Sequence, residues 1–433
     1  MSATDIQGAI EAVWRIEAAK VIAGLTRLVR DLDLAEDMAQ EALLVALEKW
    51  PREGMPPKPG AWLMMTAKHR ALDHFRKNDL NSRKHEELAR ELSELERTPP
   101  DLTTAMDDPI GDDVLRLIFI SCHPVLSMES RAALTLRVVG GLTTDEIARA
   151  FLTPEPTIAQ RIVRAKKTLG QKNIPFEVPR GLDLAARLSS VLEVVYLIFN
   201  EGYSATTGDE LIRASMCDEA LRLGRILAEL DAREPEVHGL VGLMEIQASR
   251  SRARVNADGE VVLLMEQNRA LWDQLMIRRG LAALERANAL TSRRGPYHLQ
   301  AELAACHARA LSADATDWGR IVALYDELAR VAPSPVVELN RVVAVSRHRG
   351  PEEALKLLEP LMEEPLLKGY HLLPSVRGDL LAQLGRSSEA AAEFERAASM
   401  TRNERERTFL LERARKSLDA GREERSSFPS KVR

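Results

Sequence analysis

The chain has 433 residues, of which 45% are hydrophobic and only 4% aromatic, and its formal net charge is −5. This length exceeds one typical domain and the apolar fraction can bury several cores, so two to four domains are expected. The negative balance excludes a uniformly basic nucleic-acid coat, so any DNA-binding surface must be a local patch. Plentiful alanine, leucine, glutamate and arginine favour an all-α fold.

Three widely spaced cysteines, Cys122, Cys217 and Cys306, predict buried thiols in a reducing compartment. The pair Cys122-His123 has no second pair of ligand types to complete a site, so neither metal nor cofactor is predicted. The first residues lack a basic stretch followed by an apolar block, and the most apolar patch, 194–199, is far shorter than the about 20 residues of a membrane span. These features predict a cytoplasmic protein without a membrane partner.

Changes in composition divide the chain into five stretches. In order, these are a helical stretch with a basic end (8–84), an acidic linker (85–113), a second helical stretch with a basic end (114–175), an Ala/Leu-rich helical extension (181–418) and a polar tail predicted to be disordered (419–433). The acidity of the linker fits an extended spacer, and it also fits a segment that follows a basic channel otherwise occupied by nucleic acid. Charge alone favours the spacer.

A sequence typical of a helix-turn-helix begins at Gly141. Thr143 and Glu146 have the spacing of a capping box, in which each side chain bonds the other residue's backbone amide. This spacing predicts a short helix that starts at Thr144. A break follows at residues 152–156.

A second helix is predicted from about Pro154 to Gly170, with Thr153 as its N-cap. Its apolar stripe is Ile158, Ile162, Ala165 and Leu169, and its basic face carries Gln160, Arg161, Arg164, Lys166 and Lys167. The second helix of such a motif lies in the major groove, where its first residues face bases and later cations hold phosphates. The base-facing candidates are Glu155, Thr157, Ala159 and Gln160, and the phosphate-binding candidates are Arg161, Arg164 and Lys167. An ordinary helical hairpin with a solvated face fits this local pattern equally well.

Two helices are predicted upstream, joined by a proline-rich loop. The helix over 34–49 has an acidic face with one exposed leucine, which suits docking on a basic partner helix, although a solvated amphipathic helix is the alternative. That face carries Asp37, Gln40, Glu41, Leu44 and Glu48. The helix over 61–77 should bury Met64, Ala67, Ala71 and Phe75 and expose Lys68, His69, Arg70, Asp73, His74, Arg76 and Lys77.

The order of these motifs resembles the extracytoplasmic-function (ECF) class of sigma-70 family RNA polymerase sigma factors. LAEDMAQEALLVALEKW resembles its core-polymerase-binding helix, PGAWLMMTAKHRALDHFRK its −10 promoter helix, and LTTDEIARAFLTPEPTIAQRIVRAKKTL its −35 helix-turn-helix. The resemblance covers about residues 8–175. It implies two small helical domains, sigma regions 2 and 4, that bind core polymerase and direct promoter-specific initiation without enzymatic activity of their own.

The resemblance also implies roles for individual residues. Contacts with the clamp helices of the largest polymerase subunit would be made by Asp37, Gln40, Glu41 and Leu44, and region 4 would meet the flap. The loop 51–60 would hold a base flipped from the opened strand, and the −10 DNA would be lined by Lys68, His69, Asp73, His74, Arg76 and Lys77. The acidic linker would thread the RNA exit path. His69 stands where the class usually has Asn, and Leu152 where the turn often has Gly.

A repeat is visible in the extension. Ile321, Tyr325, Leu328 and Pro333 recur as Ala354, Leu358, Leu361 and Pro365, and then as Ala390, Phe394 and Ala397, at about 33 to 36 residues, the period of tetratricopeptide (TPR) helix pairs. Gly378, Leu381, Leu384 and Gly385 precede the last unit, and Ala220, Gly224 and Leu227 fit an earlier one. Unrelated helical hairpins are the alternative.

The segment 191–203 reads as a buried helix that ends in Asn-Glu-Gly-Tyr. Glu193, Glu201 and Tyr203 suggest a pocket, although such residues more often cap a helix and satisfy a buried turn. The whole arrangement resembles the sigma subfamily with a C-terminal TPR-like extension, which implies that the extension governs activity and that its repeats bind a peptide or protein. One rival is a helix-turn-helix regulator whose repeats sense a ligand. The other is an enzyme built on the extension, which no phosphate loop, metal cluster or nucleophile constellation supports.

Overall fold

The computed structural model describes residues 3–78, 109–151, 153–180, 182–203, 207–208, 214–256 and 261–427. These residues form helices joined by turns and loops, apart from a two-residue parallel pairing of β1 (Thr207–Gly208) with β2 (Arg402–Asn403) and one isolated bridge. The all-α prediction is therefore confirmed. Within the described ranges, no helix is both long and apolar enough to cross a membrane. The chain divides into two compact units, Met1–Ile198 and Phe199–Arg433.

The first unit opens with three helices, α1 (Ala3–Val29), α2 (Leu32–Glu53) and α3 (Pro59–Asn78), and α1 packs on both of the others. Helix α2 starts two residues before the predicted position because the Asp31 carboxylate accepts hydrogen bonds from the amides of Asp33 (2.8 Å) and Leu34 (3.1 Å). It ends at Gly54, whose φ of +86° favours glycine.

Helix α2 also corrects the predicted loop. Pro51 to Glu53, which were assigned to the loop 51–60, belong to the last turn of the helix. The Gly54 amide bonds the Trp50 carbonyl at 3.0 Å, so the helix closes only after the proline. The loop between α2 and α3 is therefore shorter than predicted.

From residue 109 onward, the described residues of the first unit continue with α4 (Pro109–Ser121), α5 (Met128–Val138), α6 (Thr144–Ala150) and α7 (Glu155–Gln171). The predicted acidic linker lies mostly outside the described residues, and α4 begins within its predicted end. The predicted capping box is confirmed: the Thr143 amide donates to Glu146 Oε2 at 2.8 Å, and the Glu146 amide donates to Thr143 Oγ1 at 3.1 Å.

The predicted N-cap of the second motif helix is wrong. Pro154 occupies the cap position of α7, and the Thr153 hydroxyl instead donates to the Phe151 carbonyl at 3.2 Å. Because Pro156 lies in the first turn and has no amide hydrogen, fewer amides there need a cap. The predicted apolar stripe of α7 is confirmed, since Ile158, Ile162, Ala165 and Leu169 are all buried. Leu152, in the turn, lies outside the described residues.

The first turns of helix α8 (Leu182–Tyr203) contact the end of α4 and the residues directly after it. Arg187 donates to the Phe119 carbonyl at 2.8 Å, and the Ser190 hydroxyl donates to the Cys122 carbonyl at 2.5 Å. Arg131 donates to the same hydroxyl at 2.5 Å. Burial raises the pKa of the Cys122 thiol to about 11, as expected of a structural cysteine.

The second unit continues through α9 (Ala214–Leu230), α10 (Pro235–Ala248), α11 (Gln274–Leu290) and α12 (Pro296–Arg309). Six further helices follow, α13 (Trp318–Val331), α14 (Pro335–Arg349), α15 (Pro351–Leu358), α16 (Leu372–Gln383), α17 (Ser387–Met400) and α18 (Glu404–Ser427). Helix α10 packs on both α11 and α12. A Cβ at Gly242 of α10 would lie only 3.0 Å from the Gly280 carbonyl of α11, so this close approach requires glycine.

The predicted repeat falls on every second helix, at the starts of the pairs α13–α14, α15–α16 and α17–α18. Seven of its nine apolar positions are buried, namely Ile321, Leu328, Ala354, Leu358, Ala390, Phe394 and Ala397, and the other two, Tyr325 and Leu361, are half-buried. Gly378 makes room for the seam, since a Cβ there would lie 2.8 Å from the Phe394 ring. The helix-pair repeat is therefore confirmed as an architecture. The predicted disordered tail from residue 419 is wrong through Ser427, because its glutamates and arginines are good helix formers that extend α18.

Candidate polymerase and promoter interface

Three of the four residues predicted to contact polymerase are exposed on the outer face of α2. Asp37, Glu41 and Leu44 are exposed, and Leu44 is 65% accessible among acids. Glu41 lies 3.7 Å from Arg70 of α3. Burial raises the pKa of Asp37, with neighbouring acids adding to the effect and Lys166 opposing it. The face therefore combines negative charge with one apolar side chain.

The fourth predicted contact residue, Gln40, is half-buried and donates a hydrogen bond to Glu36. Glu36 itself was not predicted as a functional residue, and it is only 3% exposed. A signal was present, because Glu36 follows Leu32 by four residues and precedes Ala39 by three, which places it on the buried stripe of α2.

Two cations, one on α5 and one on α7, neutralise Glu36. Arg137 of α5 donates through Nε at 2.6 Å, and Lys166 of α7 donates through Nζ at 2.9 Å. Lys166 also forms an ion pair with Asp33. Burial by itself would lower the pKa of Lys166, but Glu36 and Asp33 together raise it. We call this group, Asp33, Glu36, Arg137 and Lys166, the Glu36 node.

Further contacts tie α1 to the helix-turn-helix part. Arg15 bonds Glu146, the capping-box acid, at 2.5 Å. Gly141 has a φ of +69°, and a Cβ there would lie 3.2 Å from the Cβ of Ala18. The helix-turn-helix is thus packed against α1 and α2. The inner acids of α2, Asp33 and Glu36, take part in that contact, whereas the outer acids Asp37 and Glu41 are exposed.

The predicted −10 residues on α3 are partly exposed. His69 and Asp73 are exposed, while Lys68 and His74 are half-buried. Burial lowers the pKa of Lys68, and nearby Arg27 lowers it further. The side chains of Arg76 and Lys77 lie outside the described residues. Of the four residues of α3 that were predicted to be buried, Ala67, Ala71 and Phe75 are buried and Met64 is half-buried. Leu63 and Leu72 complete the buried face.

The predicted −35 residues lie on α7, outside its buried stripe. Glu155, Gln160, Arg164 and Lys167 are exposed, and Thr157, Ala159 and Arg161 are half-buried. Lys166, which the sequence places on the same basic face, is held in the Glu36 node instead. The outer face of α7 therefore keeps an exposed arginine and lysine that a phosphate could approach.

Three family matches follow the same order as these elements. Residues 15–80 match sigma-70 region 2, and residues 116–169 match sigma-70 region 4. Residues 187–288 match a family of unknown function, DUF6596. The matches to regions 2 and 4 fall on α1–α3 and on α4–α7, and the third begins within α8.

Two relatives extend the comparison. An uncharacterized protein of Rhizobium meliloti (strain 1021) is 45% identical over 394 residues, which cover 90% of this chain and 92% of that protein. The probable ECF RNA polymerase sigma factor SigI of Mycobacterium tuberculosis is 25% identical over 173 residues, which cover 39% of this chain and 57% of SigI. Sigma-70 regions 2 and 4 bind core RNA polymerase and promoter DNA for transcription initiation. With both regions in order, and a helical extension beyond them, the chain belongs to the extracytoplasmic-function class of the sigma-70 family.

Proposed function

We propose that this sigma factor docks on the clamp helices of the largest polymerase subunit through the outer face of α2, with Asp37, Gln40, Glu41 and Leu44 as the contact residues. The carrying observation is that this face keeps exposed acids around an exposed leucine, while the inner acid Glu36 is buried and neutralised. An apolar anchor within complementary charge is what a specific protein interface uses.

Charge reversal on α2 tests this docking. Asp37→Lys should weaken binding of the full chain to purified core enzyme at least tenfold, measured by fluorescence anisotropy. Glu53→Lys is the matched control, since Glu53 is an exposed acid of the same helix that points to its other side. Equal losses in the two variants, or none in Asp37→Lys, would contradict the proposed contact.

We further propose that α3 lines the −10 DNA through Lys68, His69, Asp73, His74, Arg76 and Lys77, after the loop from α2 has taken a flipped base. The −35 element would be read by α7, with Glu155, Thr157, Ala159 and Gln160 facing bases and Arg161, Arg164 and Lys167 holding phosphates. Region 4 would meet the flap, and the acidic linker would lie in the RNA exit path. Run-off transcription with core enzyme on a genomic promoter library tests this assignment. Tight, specific duplex binding without core would favour a conventional helix-turn-helix regulator.

The extension, from residue 181 onward, is proposed to govern activity. The supporting observation is that α8 is hydrogen-bonded to region 4 through Arg187 and Ser190 before it continues into the second unit. Arg187→Ala in the full chain should therefore change promoter-specific transcription while leaving core binding intact. Arg180→Ala, at an exposed site just before α8, is the control. Unchanged transcription in Arg187→Ala would count against coupling through this contact. A peptide or protein partner for the repeats is the corresponding proposal for α13–α18.

A further inference from the structure

Three arginines of the second unit lie in a row with two aromatic rings. The guanidinium carbon of Arg254 is 4.0 Å from the centroid of the Tyr203 ring, and that of Arg250 is 6.0 Å from the same ring. Arg250 also lies 5.9 Å from the Trp272 ring, and Arg269 lies 4.6 Å from it. Cations and rings thus alternate, and we call these five residues the arginine–aromatic row.

Separate segments of the chain bring the row together. Tyr203 is the last residue of α8, in the Asn-Glu-Gly-Tyr sequence that suggested a pocket. Arg250 and Arg254 flank the 3₁₀ turn Ser251–Ala253, and Arg269 begins a second turn, Arg269–Leu271, directly before Trp272. All of these segments except the last turn of α8 join α10 to α11, so the row belongs to a built junction between helices.

The three arginines of the row have no acidic partner at ion-pair distance among the residues that the structure describes. Arg254 donates to the Tyr203 carbonyl, and Arg269 donates to the carbonyls of His307 and Ala310 (2.7 Å). These carbonyls satisfy hydrogens but supply no countercharge. Burial lowers the pKa of Arg254 and of Arg269, and the charge of Arg250 lowers both further.

One described carboxylate does act on Arg254 at longer range, and it already has partners. Glu406 raises the pKa of Arg254 but accepts a hydrogen bond from Thr401 at 2.8 Å and lies 3.3 Å from His371. Arg250 is the least satisfied member of the row, because its Nε is buried without a hydrogen-bond partner.

Neutral polar atoms next to the row also lack hydrogen-bond partners among the described residues. Trp272 is only 4% exposed, and its indole Nε1 is buried without a hydrogen-bond partner. His307 Nδ1 is likewise buried and unpartnered, although the His307 carbonyl accepts from Arg269. Buried polar groups are normally bonded, so Arg250 Nε and Trp272 Nε1, which have no partner among the described residues, have hydrogen-bonding capacity that an external acceptor would satisfy.

We infer that the arginine–aromatic row binds an oxyanion, the phosphoryl or carboxylate group of a small ligand, with Arg250 and Arg254 as its charged ligands. Guanidinium groups present paired hydrogens that match the oxygens of both groups. Arg269, fixed by two carbonyls, would position Trp272, and the Trp272 indole N–H would donate to the same anion. Tyr203 would form a wall of the site. The inference concerns the second unit alone and does not depend on the proposed polymerase and promoter contacts.

Binding is tested on the full chain by isothermal titration calorimetry and by thermal unfolding, at constant ionic strength held with sodium chloride. Inorganic phosphate is the probe for the phosphoryl group, and citrate is the probe for the carboxylate group. We expect saturable binding of at least one probe, and a rise in the thermal midpoint with its concentration, because a ligand that binds only the folded form stabilises it. The stronger probe identifies the source of the oxyanion.

Arg250→Gln should weaken that binding at least tenfold and remove the rise in the midpoint. Arg250 is the informative position because its side chain donates no hydrogen bond to the described residues, so its replacement leaves the carbonyl contacts of Arg254 and Arg269 in place. Arg252→Gln is the matched control, since Arg252 is exposed and lies in the same turn. The inference is overturned if neither probe binds saturably to the unaltered chain, or if Arg252→Gln weakens binding as much as Arg250→Gln does.

Discussion

Glu36 in the first unit and Arg250 in the second are both charged groups set among packed helices, yet they are compensated differently. Glu36 accepts hydrogen bonds from two cations at 2.6 and 2.9 Å. Arg250 faces two aromatic rings at 6.0 and 5.9 Å, and no described carboxylate pairs with it. The first unit therefore carries its own countercharges, whereas the second leaves a cation for an external anion. A charged side chain among packed residues can therefore stabilise a fold where it has countercharges, as Glu36 does. One without a described countercharge, as in Arg250, is instead the candidate for ligand binding.

The largest effect that would test this contrast is expected at Glu36. Glu36→Ala leaves Arg137 without its carboxylate and Lys166 with only the exposed Asp33, so the free energy of unfolding of the first unit should fall by about 3 to 5 kcal/mol. Amide hydrogen exchange of α2 and α5 in the full chain measures this. Glu53→Ala, at an exposed site on α2, is the control. A similar small effect in both variants would mean that the Glu36 node is not a stabilising contact.

Acidification probes the second unit. Burial, Arg250 and Arg269 lower the pKa of His307 to about 4, below its ordinary value of 6.5. The unfolded chain therefore binds more protons than the folded one between these values, and stability falls as the pH drops from 6.5 towards 4, by at most about 1.4 kcal/mol per pH unit for this one group. Hydrogen exchange of α12 in the unaltered chain and in His307→Gln checks this. An identical slope in the two proteins would contradict the assignment to His307.

The salt dependence of DNA binding distinguishes the exposed Arg164 of α7 from Lys166, whose charge already has acidic partners. Arg164 is exposed, and Arg164→Ala should reduce the salt dependence of promoter binding by the holoenzyme by about 0.9 in the log–log slope, the value for one lost phosphate contact. Lys166→Ala should leave that slope unchanged, because Lys166 is already neutralised by Glu36 and Asp33. Fluorescence anisotropy over a range of salt concentrations gives both slopes. A smaller slope in Lys166→Ala than in Arg164→Ala would reverse the assignment.

The smallest effect is expected at Arg250. In a buffer without phosphate or carboxylate ions, Arg250→Gln should change the free energy of unfolding of the second unit by less than about 1 kcal/mol, since it breaks no ion pair and relieves repulsion from Arg254 and Arg269. Hydrogen exchange of α10 in the full chain provides the value. A loss as large as that of Glu36→Ala would show that Arg250 holds the junction together and would remove the contrast.

The features that the sequence predicted well are local. The capping box of Thr143 and Glu146 depends on residues three apart, and the buried stripe of α7 depends on helical spacing, so both could be read directly. The repeat could also be read, because one period brings equivalent residues to equivalent helices. Family resemblance rather than spacing supplied the sigma assignment, since the helix-turn-helix pattern alone left a plain helical hairpin equally open.

The features that the sequence did not predict depend on residues far apart in the chain. Glu36 meets Arg137 and Lys166 across 101 and 130 positions, and no local pattern links them. The arginine–aromatic row brings Tyr203 next to arginines that follow α10 in the chain. The sequence therefore suggested a pocket at Tyr203 and gave no sign of the arginines that contact it. The choice of Pro154 rather than Thr153 as a cap was missed for a smaller reason, because either residue can precede a helix and the fold decides between them.

The Glu36 node would also set a threshold for any partner that requires α2 and α7 to separate. A partner that engages α2 and α7 only when they are apart binds only those molecules in which the node is broken. Its apparent dissociation constant is then its intrinsic constant divided by the fraction of such molecules. A change that strengthens the node would raise the concentration of such a partner needed for binding, and a change that weakens the node would lower that concentration, in both cases without altering a residue that the partner touches.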